Sequence, residues 1–126
     1  MKLLSFLLAL LASACTAGSK LDSPAEKPPL RSGDYTFTHK FAEHPDMVSI
    51  PLYARVRGRH ITLINRSDEV SPFPKGLVAS GTLMWHARSG QWIIGTSPTD
   101  REAAEVGGCS DGPSVVDLEK RIYWTC

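Results

Sequence analysis

Four histidines and three cysteines are the residues of this 126-residue chain best equipped for metal or nucleophile chemistry. The histidines are His39, His44, His60 and His86. None falls in an H-E-x-x-H motif or any tight ligand set, and no two cysteines form C-x-x-C. No metal ion and no cofactor is expected on this pattern. Cys109-Ser110-Asp111-Gly112 sets a thiol, a hydroxyl and a carboxylate side by side. A nucleophile also needs a positioned base and an oxyanion site. No G-x-S-x-G elbow is present, and Asp-Gly-Pro reads as a tight turn. No catalytic residue set emerges, so a non-enzymatic role is expected.

A second chemistry is recognition of anions. Arg55, Arg57 and His60 fall on the polar face of one hairpin, with Arg59 at its tip. Guanidinium groups in a row suit phosphate or carboxylate. The competing reading is a solvated face that protects a sheet edge. Trp85, Trp92 and Trp124 could line a ligand pocket, or supply core through their large buried area.

The elements that must position these residues are strands. Tyr35, Phe37, His39 and Phe41 alternate with Thr36, Thr38 and Lys40, the pattern of a half-buried strand. Residues 52–65 read as a hairpin turning at Gly58-Arg59, where glycine first suits a type II′ turn. That register pairs Val56 with Ile61 and Ala54 with Leu63 on the apolar face. It pairs Arg57 with His60 and Arg55 with Thr62 on the other, and a one-residue slip would mix the two. A second hairpin is expected over 82–96, turning at Ser89-Gly90, with Leu77-Val78-Ala79 as a separate short strand. Residues 98–105 read as the one helix. Pro98 stands near its start, Thr99 and Glu102 form a capping box, and Gly107-Gly108 stop it. The last stretch fits either a hairpin turning near Glu119-Lys120 or a helix; the hairpin is preferred. The expected fold is mainly β: a small antiparallel β-barrel or sandwich of about six or seven short strands, with one short helix near 98–105.

The N-terminus carries the most specific signal. Met1-Lys2 precedes an apolar run from Leu3 to Leu11. About nine residues are too few to span a bilayer, which takes roughly 18 or more, but they suit a secretory signal. Ala12-Ser13-Ala14-Cys15 follows. This resembles the bacterial lipobox, in which small residues precede a cysteine that takes a diacylglyceryl group. The signal is cut before that cysteine, and its new amine is usually acylated, palmitate being a common chain. Ala12 stands where leucine is usual, and Ala12-x-Ala14 also satisfies ordinary signal-peptidase cleavage. Both routes cut before Cys15; only one adds lipid. The resemblance implies a signal peptide over 1–14, a lipidated Cys15 with a flexible linker over 15–33, and a globular domain over 34–126. In Gram-negative lipoproteins an Asp after the cysteine resembles an inner-membrane retention signal, so with Thr16 there the resemblance implies the outer membrane of the cell envelope, facing the periplasm.

Lipidation of Cys15 leaves an even pair, Cys109 and Cys126, free to form a disulfide in an oxidising compartment. The alternative is two separate buried thiols. A disulfide closing that loop contributes about 3 kcal/mol in the chain-entropy model. The linker, rich in Pro and Ser and without aromatics, cannot bury a core. The whole chain has 14 Lys+Arg against 13 Asp+Glu. Removing Lys2 with the signal brings the balance to zero, without the basic excess of a nucleic-acid binder. The expected partners are the membrane, through the lipid, and for the arginine row lipopolysaccharide, peptidoglycan or an acidic envelope protein. A second reading is a periplasmic inhibitor. Membrane-bound lysozyme inhibitors are similar in being small β-barrel lipoproteins with a disulfide, and only Ala79-Ser80-Gly81 resembles their loop.

Overall fold

The computed structural model describes residues 26–126; the expected signal peptide, Cys15 and the expected linker as far as residue 25 lie outside the described residues. The chain is mainly β. Its strands are β1 (Gly33–Phe41), β2 (Pro51–Arg57), β3 (His60–Asn65), β4 (Gly76–His86), β5 (Gln91–Gly95), β6 (Ser114–Asp117) and β7 (Ile122–Thr125). Each strand pairs antiparallel with the next, and β7 returns to β1 so that the strand order closes. The closing pair is parallel, with Thr38 opposite Ile122 and Phe41 opposite Thr125. The mainly β architecture of about seven short strands is the expected one, whereas a barrel of wholly antiparallel strands is not. The sheet is mixed, because β1 and β7 meet running the same way.

The first hairpin takes the expected register, with Arg57 opposite His60, Val56 opposite Ile61, and Arg55 opposite Thr62. Gly58 has φ +60 and Arg59 is not among the positive-φ residues, as a type II′ turn requires. The physical cause is the burial pattern. Leu52, Ala54, Val56, Ile61 and Leu63 are all fully buried, so the alternation puts a continuous apolar face inside. Phe37, Leu83, Ile94, Val116, Leu118 and Tyr123 complete this core. The final hairpin also forms, turning over residues 118–121 between β6 and β7.

Three local expectations change. Leu77-Val78-Ala79 is not a separate strand but the first part of the eleven-residue β4. That strand pairs with β3 up to Thr82 and with β5 from Thr82 onward. The helix is a 3₁₀ turn over Pro98–Glu102 and ends three residues before the expected limit. Its start is capped by Ser97 and Asp100 rather than Thr99 and Glu102. The Asp100 carboxylate accepts the backbone N–H groups of Thr96 at 2.8 Å and Ser97 at 3.1 Å. Pro98 stands in the first turn, where no N–H is needed.

The β4–β5 hairpin is buried on both faces. Met84, Ile93 and Val115 form a second apolar cluster outside the ring, covered by Val106 and Trp124. Gly81 and Gly95 permit the close packing here. A Cβ on Gly81 would lie 2.5 Å from the Gly95 carbonyl oxygen, and one on Gly95 would lie 2.6 Å from the Met84 sulfur.

One end of the ring gathers the start of β1, the turn at Gly58-Arg59, the turn over 87–90 and the turn over 118–121. Residues 26–32 run across this end. The Arg59 guanidinium donates to the Glu26 carbonyl at 2.9 Å, the Gly58 N–H to Ser32 Oγ at 2.8 Å, and the Tyr35 hydroxyl to the Arg31 carbonyl at 2.7 Å. Leu30 packs against the core. Ordered contacts therefore begin before residue 34. At the other end, Cys109 and Cys126 are joined by a disulfide that ties the 103–113 segment to the end of β7.

Candidate functional site

The arginines of β2 point outward beside β1, because their neighbours Ala54 and Val56 are consumed by the core. Asp34 stands opposite Arg55. One of its carboxylate oxygens lies 3.8 Å from Arg55 Nε and 3.7 Å from an Arg57 terminal nitrogen. Arg55 also donates to the Tyr53 hydroxyl at 3.4 Å. That hydrogen bond, the Tyr53 oxygen's charge when ionised, and the Asp34 charge all raise the Arg55 pKa, so the group stays cationic. Asp34, Arg55 and Arg57 are exposed, and such ion pairs stabilise little. Their effect is positional: they hold two planar forks side by side on a rigid strand.

The register adds further groups to this face. Thr36 lies opposite Tyr53, Thr62 opposite Arg55 and Ser80 opposite Thr62. His60 faces Arg57 and hydrogen-bonds Ser80 Oγ at 3.0 Å. The Arg66 guanidinium stacks 3.6 Å from the centre of the Tyr53 ring. The structure thus brings Arg55, Arg57 and His60 together. Arg59 belongs to the turn and reaches toward Glu26 instead. Sequence reasoning missed Asp34, Tyr53 and Arg66. Tyr53 was readable, since it is two residues before Arg55 and shares its face. Asp34 and Arg66 are brought there by pairing and by the chain leaving β3.

The four histidines are dispersed. His39 is fully buried between Phe41 and Phe73, with ring centres 4.6 and 4.8 Å away. Its Nδ1 meets Ser49 Oγ, and its Nε2 lies 2.6 Å from Thr125 Oγ1. Burial lowers its pKa below the usual 6.5. His86 is also buried. Its Nε2 lies 2.7 Å from the Ala103 carbonyl, which can only accept, so that nitrogen carries the proton. Nδ1 then accepts the Ser89 hydroxyl at 2.7 Å and the Ser89 N–H at 3.3 Å. A serine hydroxyl bound to an oriented imidazole has the outline of an activated nucleophile. Here the same nitrogen also takes the serine's backbone N–H, which makes the imidazole a brace for the 87–90 turn.

Ser110, the other hydroxyl singled out by motif, donates to the Gly107 carbonyl at 2.7 Å within its own turn. Among the described residues, the one group with metal-ligand spacing is Glu43, Cys109 and Cys126. Both sulfurs are committed to the disulfide, so they are not thiolate ligands in this state.

Trp85 and Trp92 face each other across β4 and β5, with ring centres 5.5 Å apart in an edge-to-face arrangement. With Trp124, Gln91, Leu118 and Pro29 they line a half-open cleft of about 280 Å³ at the end crossed by residues 26–32. Both readings of the tryptophans therefore apply in part: Trp92 and Trp124 pack against the apolar clusters and still border the cleft. Compared with known proteins, the chain matches no family model, no curated protein and no solved structure.

Proposed function

We propose that the chain is an envelope lipoprotein, anchored through lipid on Cys15, whose β domain is a non-enzymatic binding module for anionic envelope groups. The face carrying Arg55, Arg57, Tyr53 and Arg66 is the observation that supports binding. Two adjacent guanidiniums match the oxygens of phosphate or carboxylate, while neighbouring hydroxyls supply further hydrogen bonds. The short apolar N-terminal run, Ala12-Ser13-Ala14-Cys15 and the pairing of the two remaining cysteines support anchoring in an oxidising envelope. Thr16 favours the outer membrane and a periplasm-facing domain.

The test is binding of the full chain to purified lipopolysaccharide and to peptidoglycan, beside an Arg55→Glu/Arg57→Glu variant. Binding that the reversal abolishes supports the reading; equal binding by both proteins contradicts it. Lysozyme inhibition is the competing outcome. Ala79-Ser80-Gly81 lies inside β4, paired with β3, rather than in a loop.

A further inference from the structure

The described residues carry twelve basic and twelve acidic side chains, but they are not evenly placed. The end crossed by residues 26–32 holds Lys27 and Arg31 on the crossing segment and Arg57 and Arg59 at the β2–β3 turn. It also holds Arg88 on the β4–β5 turn, and Lys120 and Arg121 on the β6–β7 turn. Against these seven stand Glu26, Asp34, Asp117 and Glu119. Seven minus four leaves +3 at this end and, by difference, −3 on the rest. Two of the four acids are also occupied. Asp34 pairs with Arg55 and Arg57, and the Asp117 carboxylate accepts the N–H groups of Glu119 and Lys120. Lys27, Arg31, Arg88 and Lys120 are exposed, and none of the ion pairs found among the described residues uses them.

The same end carries the Trp85–Trp92 pair. Both rings are half-buried, and neither indole N–H has a hydrogen-bond partner among the described residues. Indoles with an apolar body and a free N–H favour the headgroup level of a bilayer. Ten residues separate Cys15 from Glu26, and the chain between these two extends at most roughly 40 Å. The end with the basic excess is therefore the end on the leash.

We infer that this end of the ring is a bilayer-facing surface for the headgroups of anionic phospholipids, with Trp85 and Trp92 at headgroup depth. The inference rests on the proposed anchoring at Cys15 for its geometry, and adds an orientation: the mixed-charge far end points away from the membrane.

The experiment uses the full chain, purified with its anchor and reconstituted into vesicles of phosphatidylcholine with brominated acyl chains. One set is phosphatidylcholine alone; the other contains an equal amount of phosphatidylglycerol. Tryptophan quenching is expected to be clearly stronger with phosphatidylglycerol, to fall back in about 0.5 M salt, and to be mostly lost only when both indoles are removed, in Trp85→Phe/Trp92→Phe. Each basic residue removed is expected to weaken association about five-fold, so Arg31→Glu/Arg88→Glu/Lys120→Glu should quench equally in both vesicles while still floating with them. Equal quenching of the wild type in both vesicles overturns the inference, as does unchanged lipid dependence in the triple variant. If Cys15 carries no lipid, the chain fails to float and the anchored reading falls separately. Free chain added to the same vesicles then reads the phosphatidylglycerol dependence directly.

Discussion

Asp34 sits across the β1–β2 pair from Arg55, and its single carboxylate is shared between Arg55 and Arg57 at 3.8 and 3.7 Å. The shared carboxylate neutralises part of a face otherwise suited to anions. Asp34→Asn keeps the side-chain size and removes the charge. It is expected to tighten binding to lipopolysaccharide or peptidoglycan a few-fold, and more so at low salt. Stability should change by less than about 1 kcal/mol, because the pairs are exposed. Weaker binding by the variant would show that Asp34 itself contacts the ligand.

Burial of His39 is expected to make the stability of the domain depend on pH. Burial depresses its folded-state pKa below 6.5, so the unfolded chain binds the proton more readily. The stability this represents is present above pH 6.5 and is lost as pH falls from there toward the folded-state value. Thermal melts should drop as pH falls below about 6.5. His39→Gln, which offers one donor and one acceptor in place of the two ring nitrogens but does not titrate, should lower stability at neutral pH and flatten that part of the profile. An unchanged profile would place the acid sensitivity elsewhere.

The Cys109–Cys126 disulfide closes a loop with a sequence separation of 17. Cys109→Ser/Cys126→Ser is expected to cost about 3 kcal/mol, read as a shift in denaturant midpoint. Wild type with reductant should fall to the same midpoint, since both treatments open the same loop. A midpoint unmoved by either would mean that the 103–113 segment is held by other contacts.

Gly81→Ala should destabilise more than its size suggests. The added methyl would meet the Gly95 carbonyl oxygen and the Ile94 side chain at 2.5 and 2.8 Å, and the backbone oxygen cannot swing away. A loss of roughly 1–3 kcal/mol is expected from overpacking, measured by thermal or chemical unfolding. Gly90→Ala meets no such neighbour; its cost comes only from the positive φ.

Much of the fold was readable where the signal is local. The hairpin of β2 and β3 showed its register because Val56 and Ile61, or Ala54 and Leu63, cannot leave the core together. The final hairpin and the cysteine pair were readable together, since each brings residues 109 and 126 closer. Parallel closure of β1 on β7 was not, because a pairing between residues 38–41 and 122–125 leaves no turn or spacing behind. The burial of Met84 and His86 was also hidden. Alternation placed them on the outer face, and the segment carrying Ala103 and Val106 then covers that face. Of the candidate site, Arg55, Arg57 and His60 followed from parity alone. Asp34, Tyr53 and Arg66 needed the strand pairing and the path of the chain beyond β3.

Anchoring at Cys15 is the claim on which the proposed role depends. Intact mass and tandem fragmentation of the mature chain, isolated from membranes of the cells that produce it, test it most directly. The expected result is an N-terminus beginning at Cys15 that carries a thioether-linked diacylglyceryl group, with or without an amide-linked acyl chain. A mature chain beginning with an unmodified Cys15, or one retaining Met1, would contradict it.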